Sequence, residues 1–383
     1  MIDGPIVLAG LVLTAIVGTL HIIFPAVIVL LFLLPFSRRP YRIVVNFVEW
    51  LWLSEAAALI ESVAGVEIRM SGDVAKRPED RAVVIVLNHH CRLDWMFFWC
   101  AAARLGLLRG GALKIALKEG LRSAPFFGWA MQAFNFSFLS RADRGTDLSR
   151  LRAAADHCVG HGDRYALLLF PEGTDLSPSN RDKAKAFAKE KKLTVYQHLL
   201  HPRTAGFVEI IDAIGTRLDA VYDVTVRYDN HPKVATSEDP RPSEKNCLIE
   251  GCWPTHVHFE VERVPASFFG ASRERPADKD KAAKWLTDAW ERKERKIEKG
   301  PSLASTMGTH KSRRFANAFF LILWAIILAT LTIGFFYGLG HAIGNALWLL
   351  TICAATTLAT VTKYGIGLDG FEYARFPAPE KRE

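Results

Sequence analysis

Val83-Val84-Ile85-Val86, followed one residue later by Asn88-His89-His90-Cys91-Arg92-Leu93-Asp94-Trp95, is the stretch that decides how this chain folds. An uninterrupted β-branched run marks a buried strand, the polar residues behind it a tight loop, and the apolar residues 95–103 a helix. Four residues separate His89 from Asp94, a gap that lets the turn bring the carboxylate back onto the imidazole. A carboxylate bonded to one ring nitrogen fixes the tautomer and leaves the other nitrogen as a general base. An acid in the first turn of a helix can equally serve the helix terminus, so the pair alone decides nothing.

A second apolar strand, 165–170, ends in Pro171-Glu172-Gly173-Thr174. Around these two elbows, strands are expected at 66–70, 133–139, 219–228 and 255–264, with a turn at 125–129. The last of these strands alternates, Val257, Phe259 and Val261 on one face and His256, His258, Glu260 and Glu262 on the other. Helices are expected at 149–161, capped by Asp147 or Ser149, at 181–192, capped near Ser179 or Asn180, at 206–214 and at 278–299. Mixed strands and helices with long connections predict an α/β fold, a central sheet flanked by helices. Both elbows then fall at strand C-termini, where such sheets bind their ligands.

The chain has 383 residues, 50% hydrophobic, with a formal net charge of +8. Its mean hydropathy of +0.11 is concentrated in residues 5–36, 315–337 and 345–361, each close to or beyond the roughly 20 residues that cross a bilayer. The first has no preceding basic residue and no cleavage pattern, so it reads as a retained anchor. His21 and Pro25 inside it leave two forms open, one kinked membrane helix or a re-entrant helix hairpin. The other two form a C-terminal two-helix transmembrane hairpin. Basic flanks, Arg38, Arg39 and Arg42 after the first segment and Lys311, Arg313 and Arg314 before the second, place the middle of the chain and its tail in the cytosol. The expected organisation is an anchor with a membrane-surface helix (1–60), a catalytic domain (61–300), a basic linker (301–314), the hairpin (315–361) and a cytosolic tail (362–383). Six cysteines show no disulfide framework. Cys247, Cys252, His256 and His258 have gaps that fit no standard zinc site, so no metal is expected. The basic helix 181–192 reads as solvated surface or a contact for anionic lipid, and no nucleic-acid reader motif is present.

The residues 88–94 resemble the HxxxxD block of the glycerolipid acyltransferases. Phe138-Leu139-Ser140-Arg141 is similar to the second block of that family and Phe170-Pro171-Glu172-Gly173-Thr174 to the third, in the same order. The fourth block lacks its proline at Leu218-Asp219-Ala220-Val221. Leu93-Asp94-Trp95-Met96, residues 127–132 and 200–207, and Asp223-Val224-Thr225-Val226 resemble the lysocardiolipin acyltransferase branch, which is similar to a subgroup of the 1-acylglycerol-3-phosphate acyltransferases. Asp175, where many members carry arginine, fits that branch.

The resemblance implies an acyl-coenzyme A-dependent acyltransferase acting on a lysophospholipid at the endoplasmic reticulum membrane, with acyl-coenzyme A as co-substrate, the bilayer as partner and no cofactor. His89 is expected to take the proton of the acceptor hydroxyl while Asp94 orients the ring. His90 is the rival base, and Cys91 is an alternative, acylated nucleophile. Arg141, Glu172, Gly173 and Thr174 are expected to bind the glycerophosphate acceptor: arginine suits phosphate, the turn amides donate, and Glu172 orients Arg141 or a substrate hydroxyl. Lys118 is expected to help with phosphate or coenzyme A. A coenzyme A-independent transacylase and a non-catalytic lipid-binding scaffold are the alternatives.

Overall fold

The fold is described from a computed structural model over residues 36–124, 127–234, 239–299, scattered positions between 317 and 333, and 367–379. The three expected membrane segments and the linker lie wholly or largely outside these residues.

Seven strands form one mixed sheet in the order β1-β7-β6-β2-β5-β3-β4. They are β1 (Glu67–Gly72), β2 (Ala82–Leu87), β3 (Leu113–Lys118), β4 (Ser137–Leu139), β5 (Tyr165–Leu169), β6 (Ala220–Asp229) and β7 (His256–Pro265). Every neighbouring pair is parallel except β6 and β7. In β2 all six residues are buried, as expected for a parallel strand covered on both faces. Its alternation sorts them into two cores. Val83, Ile85 and Leu87 face α1 (Arg38–Ala58), α2 (Asp94–Leu105) and α3 (Phe127–Ala133). Ala82, Val84 and Val86 face α4 (Arg144–Gly160), α6 (Thr204–Ile214) and α7 (Lys279–Glu298). The result is a sheet between two helical layers. The basic helix α5 (Pro178–Glu190) buries only Ala188.

Several elements differ from the sequence reading, each for a physical reason. Residues 127–133 are helical where a turn and the start of a strand were expected, and only Ser137–Leu139 pairs with β3. Gly128 is there for close approach: a Cβ would stand 2.2 Å from the Arg122 carbonyl oxygen. Helix α4 begins earlier than expected because Asp143 caps it, accepting from the amides of Gly145 and Thr146. Strand β3 escaped notice because Lys114, a buried charge paired to Glu49 at 2.9 Å, interrupts its apolar pattern. Helix α1 runs on in a π-helical turn to Val63. This helical stretch is long and apolar enough to span a bilayer, but 72% of its most apolar window is buried. It is a core helix rather than a helix lying only on a membrane surface, although Ile43 and Phe47 stay exposed on its outer side.

The tail also joins the domain. Helix α8 (Leu368–Arg375) buries Glu372 completely. That carboxylate accepts from Arg38 Nε at 2.8 Å and Arg42 Nε at 2.7 Å. Arg122 pairs with Asp369 at 2.7 Å. Helices α1 and α8 are thus locked together.

Candidate active site

The loop after β2 is held open by its neighbours. Asn88 is buried, and its amide exchanges two hydrogen bonds with the backbone of Val226, donating at 3.2 Å and accepting at 2.8 Å. This side chain replaces the strand pairing that the turn has interrupted, so the chain leaves the sheet here without orphaned polar groups.

Asp94 is fully buried at the first position of α2, after an N-cap, Leu93, that offers no side-chain bond. Its carboxylate points back into the loop. Oδ2 accepts from His89 Nδ1 at 2.9 Å and from the Cys91 amide at 3.0 Å. Oδ1 accepts from the Cys91 thiol at 3.2 Å and from the Tyr228 hydroxyl. An acceptor-only group at Nδ1 puts the ring proton there. Nε2, with no hydrogen-bond partner among the described residues, is left as a base. The ring lies against Phe170, centroids 4.3 Å apart, which braces its orientation.

The neighbours of His89 are less suited to chemistry. His90 stacks on Tyr228 at 5.2 Å, and burial lowers its pKa to about 4. The Cys91 thiol is buried, and burial together with the Asp94 charge pushes its pKa well above the usual thiol value. Only a thiolate is a good nucleophile, so this thiol is a hydrogen-bond donor.

The second elbow sits beside the first, because β5 pairs directly with β2. Gly173 takes the left-handed conformation, φ 75°, and its amide bonds to the Phe170 carbonyl at 3.0 Å within the turn. That amide is engaged within the turn, whereas the expectation gives it to the acceptor. The Thr174 hydroxyl accepts from Asn180 at 2.9 Å. Glu172 is placed differently from the expectation too. It is 3% exposed, and its oxygens accept from the His89 amide at 3.0 Å, the Leu200 amide at 3.1 Å and Trp290 Nε1 at 3.3 Å. Occupied from three sides, the carboxylate braces the elbow from behind and does not bond Arg141. Burial raises its pKa to about 7.

Arg141 stands exposed past the end of β4 with φ 63°, its amide held by Asp147 at 2.7 Å. Lys118 ends β3 on the same edge of the sheet and is exposed. Cys247, Cys252, His256 and His258 do not assemble as a ligand set. Both histidines bond Asp229 Oδ2, at 3.0 and 3.1 Å, and the Cys247 thiol meets the Cys252 carbonyl.

Sequence spacing did not single out Tyr228, Asn88, Trp290 or Lys293. Lys293 of α7 is buried, pairs with Asp223 at 2.6 Å and donates to the Val86 carbonyl at 3.2 Å. Arg241, from the loop before β7, donates to the His90 carbonyl at 3.0 Å and pairs with Asp175 at 3.3 Å.

A base with an oriented carboxylate, at the C-terminal edge of a sheet, can deprotonate a hydroxyl. Known proteins are similar to the chain in sequence. Residues 68–229 match the Acyltransferase family model. The chain is 35% identical over 300 residues to lysocardiolipin acyltransferase 1 of Danio rerio, covering 77% of this chain and 71% of that protein. It is 38% identical to the protein of the same name in Mus musculus, covering 64% of this chain and 61% of that one. It is 33% identical to lysophosphatidylinositol acyltransferase 10 of Caenorhabditis elegans, covering 63% and 58%. With the family model and these relatives agreeing, the chain belongs to the glycerolipid acyltransferase family and is an acyltransferase.

Proposed function

We propose that this protein transfers a fatty acyl chain from acyl-coenzyme A to the free glycerol hydroxyl of a lysophospholipid. The observation that carries the reading is the His89–Asp94 pair, with Nδ1 engaged at 2.9 Å and Nε2 unbonded among the described residues. Nε2 removes the acceptor's hydroxyl proton as the oxygen attacks the thioester carbonyl. Asp94 stabilises the imidazolium that forms. Collapse of the tetrahedral intermediate breaks the carbon–sulfur bond, and the departing thiolate takes the proton back from Nε2. Ester and free coenzyme A are the products. The buried, high-pKa thiol of Cys91 favours this direct attack over an acyl-enzyme.

Arg141 binds the acceptor phosphate, and Lys118 meets phosphate or coenzyme A. The hydrophobic segments hold the enzyme in the endoplasmic reticulum membrane, its site open to the cytosol where acyl-coenzyme A is supplied. The relatives' names support lysocardiolipin, lysophosphatidylinositol and lysophosphatidate as acceptors to try. The test is turnover by the purified full-length protein with acyl-coenzyme A against these three and lysophosphatidylglycerol. Product formation that depends on acyl-coenzyme A is expected. Activity only with a phospholipid donor identifies a transacylase, and none with either donor leaves a scaffold.

A further inference from the structure

Helix α7 carries two buried side chains, Trp290 and Lys293, one turn apart on the same face. The helix packs on the Val84 and Val86 side of β2. The Lys293 ammonium pairs with Asp223 at 2.6 Å and donates to the carbonyls of Val86 at 3.2 Å and Val224 at 2.5 Å. Its three N–H groups thus face three oxygens, two of them on the backbones of different strands. Val86 lies in register with Asp223, so the ammonium sits across the seam between β2 and β6. Three residues after Val86 comes His89. Four residues after Val224 comes Tyr228, whose hydroxyl donates to Asp94.

A second tie runs through Trp290. Its ring lies 4.4 Å from the Lys293 ammonium, and its Nε1 donates to Glu172 Oε1 at 3.3 Å. The same oxygen accepts from the His89 amide at 3.0 Å. Methionine or leucine at position 293 would fill this part of the core without taking a charge out of water. Burial lowers the lysine's pKa, with the charges of Asp223 and then Glu172 opposing the shift. What the ammonium does here that an apolar side chain cannot is join two strands that lead to opposite sides of the same carboxylate, Asp94.

We propose that Lys293 and Trp290 are positioning residues for the base: Lys293 fixes the spacing of β2 and β6, Trp290 fixes Glu172 behind the His89 amide, and together they hold His89 and Asp94 in register. The inference rests on the acyltransferase reading for its reaction and on the backbone ties for its geometry. A base acts on a proton it must reach, and a misplacement of about 1 Å costs roughly 10²-fold in rate. Such a loss falls on kcat and leaves substrate binding in place.

The experiment uses the full-length protein in detergent and the variants W290F, K293M and K293M/D223N, each also in an H89A background. W290F keeps a ring in the core and removes its N–H. The double variant removes both charges, so the lysine stays testable where K293M alone, with Asp223 left buried and unpaired, does not fold. Each variant is expected to lower kcat by about 10- to 100-fold, with KM for lysophospholipid and for acyl-coenzyme A within about 2-fold. In the H89A background the same substitutions change the residual kcat by less than about 2-fold, because there is no base left to position. Hydrogen exchange read by mass spectrometry should quicken by about 10-fold or more in residues 86–95 of W290F and K293M/D223N, and stay unchanged in α8. Equal losses with and without His89, unchanged exchange in residues 86–95, or faster exchange throughout the domain overturns the positioning role. A wild type that turns nothing over overturns the acyltransferase reading, while exchange in residues 86–95 still decides whether α7 holds the loop.

Discussion

Tyr228 donates its hydroxyl to Asp94 Oδ1 from the far end of β6, across 134 positions of sequence. The residue the base depends on is thus itself held by a strand that the HxxxxD stretch does not contain. Asp94 has four donors around it: His89 Nδ1, the Cys91 amide and thiol, and this hydroxyl. Removing one of the four should loosen Asp94 without freeing it.

The first prediction grades the site by that arrangement. His89→Ala and Asp94→Asn should each lose roughly 10²–10⁴-fold in kcat with the fold intact, as expected when a general base or its partner is removed. Tyr228→Phe should lose about 10-fold, the scale of one hydrogen bond to a charged group. His90→Ala should stay near normal. Steady-state kinetics with circular dichroism as a folding control checks this, and a collapse in His90→Ala with an active His89→Ala would reverse the choice of base.

Cys91 provides the second. Cys91→Ser should retain most activity, since serine can still donate to Asp94. Intact-protein mass spectrometry after mixing with acyl-coenzyme A should find no acylated thiol. An acyl group trapped on Cys91 would replace direct attack with a two-step route.

A third prediction concerns pH. Glu172 has a folded pKa of about 7, above the ordinary carboxyl value of 4.5, because burial disfavours its charge. Between those values the folded state holds a proton that the unfolded state has lost, so stability falls as pH rises from about 4.5 to about 7 and is level above. The integrated effect is roughly 3 kcal/mol. Glu172→Gln should remove this slope, at the expense of an amide facing a backbone N–H. Thermal unfolding at a series of pH values checks it: an unchanged slope in the variant would assign the pH dependence to other groups.

The fourth lies far from the base. Glu372→Ala leaves Arg38 and Arg42, 10% and 6% exposed, without their shared carboxylate. Breaking a buried pair by deleting one partner typically costs about 3–5 kcal/mol. A marked drop in Tm is expected. A Tm within 1–2 degrees of wild type, roughly the effect of a surface substitution, would show that α8 does not hold the domain together.

What could be read from the sequence was local. His89 and Asp94 lie within one loop, so strand, turn and helix signals around them suffice to predict their contact. The alternation of β7 was equally plain, because one face is fully buried while the other, His258 apart, stays partly open to solvent. Tyr228 and Trp290 reach the site from other elements, and no spacing rule joins residue 172 to residue 290. Charge patterns misled in three places. Lys114 hid a strand by being a buried ion-pair partner. Asp147 looked like a helix cap but spends its carboxylate on the loop before the helix, and Asp143 caps instead. Glu172 looked like a residue of the open site because it sits in a polar turn, whereas the helix α7 covers it through Trp290.

The docking of the tail has a mechanical consequence. Arg38 of α1 shares an ion pair with Glu372 of α8, and the Leu368 amide bonds Gln132 at 3.0 Å. A load applied at α8 passes through that cluster into α1, so the two helices yield together rather than one after the other.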